Sequence, residues 1–126
     1  MNDHLRDGAG ILIVDDDPSS AEALAALLRE EGHHATVAAS GREATAALAG
    51  GACGLLILDP SLRDCTGPHL LRYADDLGVS TIVTTSDPAF DPVRTHDPIR
   101  WFLYKPIRLP TLLSLVAHAL NPPPQA

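Results

Sequence analysis

The chain has 126 residues, 45% of them hydrophobic, and a formal net charge of −7. That length suits one domain with its own core, and the recurring aliphatic residues exclude a wholly disordered chain. The acidic balance argues against a general nucleic-acid footprint, which needs a basic face, and no apolar run approaches the ~20 residues of a membrane span.

Residues 1–9 read as a polar tail without the apolar segment of a signal peptide. Ile11-Leu12-Ile13-Val14 is the first continuous apolar run, the mark of a strand buried on both faces, and it ends in Asp15-Asp16-Asp17. Asp17 suits an N-cap and Pro18 a first turn, so a helix is expected from Pro18 to Glu31, stopped by Gly32. Ala21, Leu24, Leu27 and Leu28 make its expected apolar face. Ala35 to Ala39 predicts a short strand centred on Val37. Ser40, with Glu43 three residues on, predicts the capping box of a second helix that runs to about Ala49 and stops at Gly50-Gly51.

Residues 54–58 form the next apolar run, Leu55-Leu56-Ile57-Leu58, which leads straight into Asp59. Gly67-Pro68 opens a third helix bearing Leu70, Leu71, Tyr73, Ala74 and Leu77, closed by Gly78. Thr81 to Thr85, rich in β-branched residues, predicts a fourth strand, and Trp101 to Tyr104 a fifth. A last helix after Pro110 carries Leu112, Leu113, Leu115, Val116, Ala119 and Leu120. Prolines 122–124 end it.

Strands alternating with helices predict an α/β domain with a parallel sheet over residues 10–120, leaving 121–126 as a tail or the start of a linker. One segment breaks the rhythm. Between Thr85 and Trp101 a fourth helix is due, but Pro88, Pro92 and Pro98 predict one that is short or missing. At most a single turn starts at Pro92, capped by Asp91, and no helix there exceeds two turns. A long irregular connection in a small domain is often functional.

The chemistry concentrates at strand ends. Asp15-Asp16-Asp17 follows strand one, Asp59 follows strand three, Thr85 ends strand four, and Lys105-Pro106 follows strand five. In open α/β sheets the carboxyl ends of the strands are where ligands bind. Carboxylates gathered there repel one another unless a cation lies between them, and a hard divalent ion such as Mg2+ answers that need. Lys105 is the only lysine beside eight arginines. Its compact ammonium suits a single phosphoryl oxygen. An Asp beside such cations is equipped to attack a phosphoryl donor and form an aspartyl-phosphate, with the protein supplying position and charge. The other polar candidates have plainer roles. His33-His34 complements a helix C-terminus, His118 lacks a paired metal ligand, Trp101 packs, and Cys53 and Cys65 are reduced thiols of a cytoplasmic protein.

Taken together, Ile11-Leu12-Ile13-Val14-Asp15-Asp16-Asp17-Pro18, Leu56-Ile57-Leu58-Asp59, Gly67, Thr85 and Lys105-Pro106 resemble the receiver domain of bacterial two-component response regulators. The resemblance covers roughly residues 10 to 120. It implies a flavodoxin-like, doubly wound five-stranded parallel sheet in the order 2-1-3-4-5 with flanking helices. By the same resemblance Asp59 is the phosphoacceptor. Asp16 is a direct Mg2+ ligand, Asp15 acts through water, and Asp59 and the backbone carbonyl of Ser61 complete the protein's share of the metal shell. Thr85 is the switch hydroxyl, with Thr84 its rival, and Ser86 takes the small position beside it. Lys105 is the phosphate contact, with a cis Lys105–Pro106 bond. Phe102 stands at the aromatic switch position without a hydroxyl.

Two departures stand out. Arg63 replaces the proline that the family usually carries four residues after the acceptor, which would put a cation near the site. The degraded fourth helix belongs to the face that carries output and dimer contacts in the family. The implied function is to take a phosphoryl group from a sensor histidine kinase or histidine phosphotransfer protein and to switch a surface read by a downstream protein partner. A homodimer is left open, and no direct nucleic-acid or membrane partner is implied. The chain would not be an enzyme beyond assisting its own phosphorylation and dephosphorylation. The alternatives are a non-phosphorylated pseudo-receiver acting as an interaction or dimerisation module, and a small phosphatase with an Asp nucleophile. The phosphatase is disfavoured because no second catalytic acid is evident near Asp59 in sequence.

Overall fold

Apolar runs with no polar alternation need cover on both sides, and the fold supplies it. A computed structural model of the chain describes residues 10–64, 66–92 and 99–120. The strands are β1 (Gly10–Val14), β2 (Ala35–Ala38), β3 (Cys53–Leu58), β4 (Ser80–Thr85) and β5 (Trp101–Tyr104). Among the described residues the helices are α1 (Pro18–Glu30), α2 (Gly41–Ala49), α3 (Gly67–Asp76) and α4 (Leu109–Leu120). The strands form one sheet in the order β2-β1-β3-β4-β5, every neighbouring pair parallel. This is the doubly wound, flavodoxin-like order expected from the sequence.

Residues along each strand alternate between two cores. Ile11, Ile13, Leu55, Ile57 and Ile82 face Ala21, Ala25 and Leu28 of α1 and Leu112, Val116 and Ala119 of α4. Leu12, Val14, Leu56, Leu58 and Val83 face Ala44 and Leu48 of α2 and Leu70, Leu71 and Ala74 of α3. The expected face of α1 needs one correction. Ala25 is buried, whereas Leu27 is 39% exposed. At about 100° per residue Ala25 lies about 40° round the helix from Ala21 and Leu27 about 120°, so Ala21, Ala25 and Leu28 share the inward face and Leu27 falls at its rim. Likewise Leu77, expected on the apolar face of α3, lies beyond its last turn and is exposed.

The helix ends follow their local chemistry. Asp17 caps α1 by accepting from Ser19 N at 3.2 Å, with Pro18 at the first helical position. Gly32 follows α1 at φ +92°, and His33 N closes the turn onto Leu28 O at 3.1 Å. That left-handed turn favours glycine. Ser40 caps α2 by accepting from Glu43 N at 3.2 Å.

Between β4 and β5, Pro92 has helical backbone. Residues 93–98, on which the expectation of a short or missing fourth helix mainly falls, lie outside the described residues, as do Cys65 and both expected tails. No helix among the described residues is long and apolar enough to cross a membrane.

Candidate functional site at the carboxyl edge of the sheet

β1 and β3 are neighbours whose onward connections run in opposite directions, β1 to β2 at one edge and β3 to β4 towards the other. Such a switch point leaves a crevice beyond the strand ends. Val14 and Leu58 are paired in register, so the residues after them, Asp15 and Asp59, emerge side by side. Asp59 N donates to Val14 O at 3.0 Å, and Asp15 N to Ala38 O at 3.3 Å. Asp15 is 7% exposed and Asp59 8%. Two carboxylates at that depth need partners.

Lys105 supplies them. Leaving β5 beside a cis Lys105–Pro106 peptide, its Nζ donates to Asp59 Oδ2 at 2.8 Å and to Asp15 Oδ2 at 2.9 Å. The remaining oxygens are also used. Asp59 Oδ1 accepts from Ser61 Oγ at 2.6 Å and from Ser61 N at 3.0 Å. Asp15 Oδ1 accepts from Asp17 N at 2.9 Å. Asp16, more exposed, has Arg63 Nε 3.6 Å from its Oδ2. Among the described residues no buried side-chain polar atom is left without a partner.

These contacts set the charge states. Burial works to raise the Asp59 carboxyl, but hydrogen bonds from Lys105 and Ser61 outweigh it and hold the group below the usual carboxylate value. Burial works to lower the Lys105 ammonium, and its bonds to Asp59 and Asp15 outweigh that, holding it above the usual lysine value. Asp59 is therefore an anion at neutral pH, and Lys105 a cation against it.

Thr84 and Thr85 are both buried, on opposite faces of β4. Thr84 lines a cavity of about 350 Å³ with Asp15, Lys105, Leu24 and Ile107. Thr85 pairs with Tyr104 and shares its face with Val83, whose partner is Phe102. Thr85 is thus on the same side of the sheet as the aromatic position. Its Oγ1 accepts from Asp87 N at 3.1 Å, and its carbonyl from Lys105 N at 2.7 Å. Phe102 is half-buried, with ring centroids 5.3 Å from Tyr104 and 6.2 Å from Phe90.

Three participants escaped the sequence reading. Ser61 was expected only through its carbonyl, yet its hydroxyl and amide both hold Asp59; a Ser two residues after an Asp is the local signal. Asp64 accepts from Gly41 N at 3.1 Å and from Thr66 Oγ1 at 2.7 Å, tying the β3–α3 loop to the start of α2. The Thr66 bond, then those of neighbouring amides, hold its carboxyl below the usual value. Tyr104 donates its hydroxyl to Phe90 O at 2.9 Å. Gly67 is needed for space, because a Cβ there would overlap the Pro60 carbonyl.

The model of the response regulator receiver domain family matches residues 11–117. The chain belongs to that family. Solved receivers share its fold. A response regulator receiver domain from Methanospirillum hungatei is 27% identical, with a TM-score of 0.80 over 88% of this chain and 92% of its own. The signal receiver domain of a putative LuxO repressor protein from Vibrio parahaemolyticus is 26% identical, with a TM-score of 0.80 over 90% of each chain. A two-component response regulator from Clostridium difficile, 22% identical with a TM-score of 0.81 over 90% of this chain and 97% of its own, agrees in fold. No curated protein matches the sequence significantly.

The receiver's donor set can be tested against a metal. Asp15, Asp16 and Asp59 offer only oxygen, which suits a hard cation. Among the described residues no group of three or more carboxylate, His or Cys ligands is already closed around a point. Two of the carboxylates are turned to Lys105 instead. Mg2+ tolerates this, since it keeps several waters and takes few protein ligands. The residues present fit that ion.

Proposed function

We propose that this receiver domain accepts a phosphoryl group on Asp59 from the phosphohistidine of a sensor histidine kinase or a histidine phosphotransfer protein, and that the resulting aspartyl-phosphate switches a surface read by a downstream protein. The observation that carries this reading is the Lys105 ammonium held 2.8 Å from Asp59 and 2.9 Å from Asp15 at the switch point of the sheet.

In the transfer a carboxylate oxygen of Asp59 forms a bond to phosphorus as the phosphorus–nitrogen bond of the donor imidazole breaks. The electron pair leaves with the imidazole. Asp59 is ready because it is already deprotonated and Ser61 orients its Oδ1. Lys105, freed from one carboxylate as the acyl phosphate forms, neutralises a phosphoryl oxygen. Asp16, Asp59 and the Ser61 carbonyl, with Asp15 through water, would hold Mg2+, and the ion when bound would supply positive charge to offset that of the phosphoryl oxygens. Thr85 turns its hydroxyl from Asp87 N to the phosphoryl group, and Phe102 on the same face responds. Water later cleaves the acyl phosphate, so the domain assists only its own phosphorylation and dephosphorylation. This fits a cytoplasmic module.

The test is direct. The protein is incubated with Mg2+ and acetyl phosphate and its intact mass is measured. One added phosphoryl group is expected, and none in Asp59→Asn. No adduct with acetyl phosphate or beryllofluoride would overturn the proposal in favour of a non-phosphorylated interaction module. Turnover of many phosphomonoesters would favour a phosphatase.

A further inference from the structure

Lys105 is committed to Asp15 and Asp59, which leaves Asp16 as the third acid of the pocket. The cation against it is Arg63, whose Nε lies 3.6 Å from Asp16 Oδ2. Arg63 is not placed there by chance of a floppy loop. On its N-terminal side Leu62 is buried in the core with Leu58 and Leu70, and Ser61 is bonded to Asp59. On its C-terminal side Asp64 is bonded to Gly41 N and Thr66. With both neighbours anchored, the residue between them projects out of the loop, its side chain 90% exposed but leaning over the rim of the pocket.

From this the geometry points to Arg63 as a built-in counter-ion that competes with the divalent cation for Asp16. The inference rests on Asp15, Asp16 and Asp59 being the metal seat. Before a divalent ion binds, the three carboxylates then face two cations rather than one, Lys105 and the exposed Arg63. A divalent ion arriving at Asp16 must turn the guanidinium aside and gains less from a site already partly neutralised. Arg63 thereby weakens metal binding and sets the metal concentration at which the pocket is filled. It is a positioning residue for charge and does not touch the reacting atoms.

An exposed ion pair is worth at most about 1 kcal/mol, equivalent to about a fivefold change in affinity. The experiment is a Mn2+ titration of the whole, unphosphorylated chain, with free Mn2+ read by electron paramagnetic resonance at low ionic strength. Arg63→Ala is expected to lower the Mn2+ Kd about two- to fivefold, and Arg63→Lys to fall between it and the parent. Arg72→Ala, which removes the same charge from the outer face of α3, is expected to leave the Kd unchanged. An unchanged or weaker Kd in Arg63→Ala overturns the inference and leaves the metal seat intact. Equal tightening in Arg63→Ala and Arg72→Ala overturns it in favour of net charge alone. Absence of millimolar binding in both parent and Arg63→Ala overturns the metal seat and this inference with it.

Discussion

Replacing Lys105 with methionine keeps most of the aliphatic stem and removes only the ammonium. Two charge-assisted hydrogen bonds are lost, to Asp59 at 2.8 Å and to Asp15 at 2.9 Å. When well buried, each such bond contributes about 1.5–3 kcal/mol. The Lys105 side chain is 25% exposed and the two carboxylates 11% each, so solvent screens part of that. The two carboxylates are then left facing each other with no cation between them, which adds repulsion. The expected loss is about 2–3 kcal/mol for the substitution as a whole. At this chain length roughly 4 °C of Tm corresponds to 1 kcal/mol, so Tm should fall by about 8–12 °C. Differential scanning calorimetry at low salt and without divalent ions measures it. In an Asp59→Asn background the same substitution should cost distinctly less, because one of its partners is already neutral. A Tm within about 2 °C of the parent, or an equal cost in both backgrounds, would refute the reasoning that Lys105 neutralises this pair.

The remaining expectations concern protonation, the helix face and the site loop. Asp59 is depressed in the folded state, so its stabilising contribution is fully present above its unfolded value of about 3.9 and is lost as pH falls through the folded value. Lys105 is raised, so its contribution is present below about 10.4 and is lost as pH rises through its folded value. Urea midpoints followed below about pH 4 should therefore fall less steeply in Asp59→Asn than in the parent, and identical acid limbs would contradict this. Leu28→Ala should cost about 2–5 kcal/mol and Leu27→Ala roughly 0.5 kcal/mol in chemical denaturation, because only Leu28 is buried; equal costs would restore the helical face first expected for α1. Gly67→Ala sets a new Cβ against the rigid Pro60 carbonyl and should cost about 2–3 kcal/mol, whereas Gly32→Ala meets open space and carries only the backbone cost of about 1 kcal/mol. A Gly67→Ala variant as stable as the parent would show that the loop after Asp59 has room to move.

Much of this protein is legible in local pattern. A run such as Leu55-Leu56-Ile57-Leu58 has no polar face, so it must be a strand covered on both sides. The first polar residue after it must lie at the strand's carboxyl end. That logic delivered β1 and β3; β-branched residues marked β4 and a short apolar run β5, and together they gave the parallel sheet and the placement of Asp15, Asp59, Thr85 and Lys105 at one edge. Caps behaved the same way, since Asp17 and Ser40 act on amides two or three residues away. Less legible was which apolar residues of α1 face inward. Leu27 is expected inward for its apolar side chain, but at about 100° per residue it lies about 120° round the helix from Ala21, whereas Ala25 lies about 40° from it and is the one buried.

The charge arrangement of the site required the tertiary structure. Lys105 meets partners 46 and 90 residues away in sequence, and it holds both of them at once. Ser61 turns its hydroxyl as well as its amide onto Asp59, Asp64 ties the loop to α2, and Arg63 settles over Asp16. Sequence by itself determined which charged groups share the edge, because a strand's end is a local property. Only the folded chain decided which cation neutralises which carboxylate, because that depends on distances between segments brought together by the sheet.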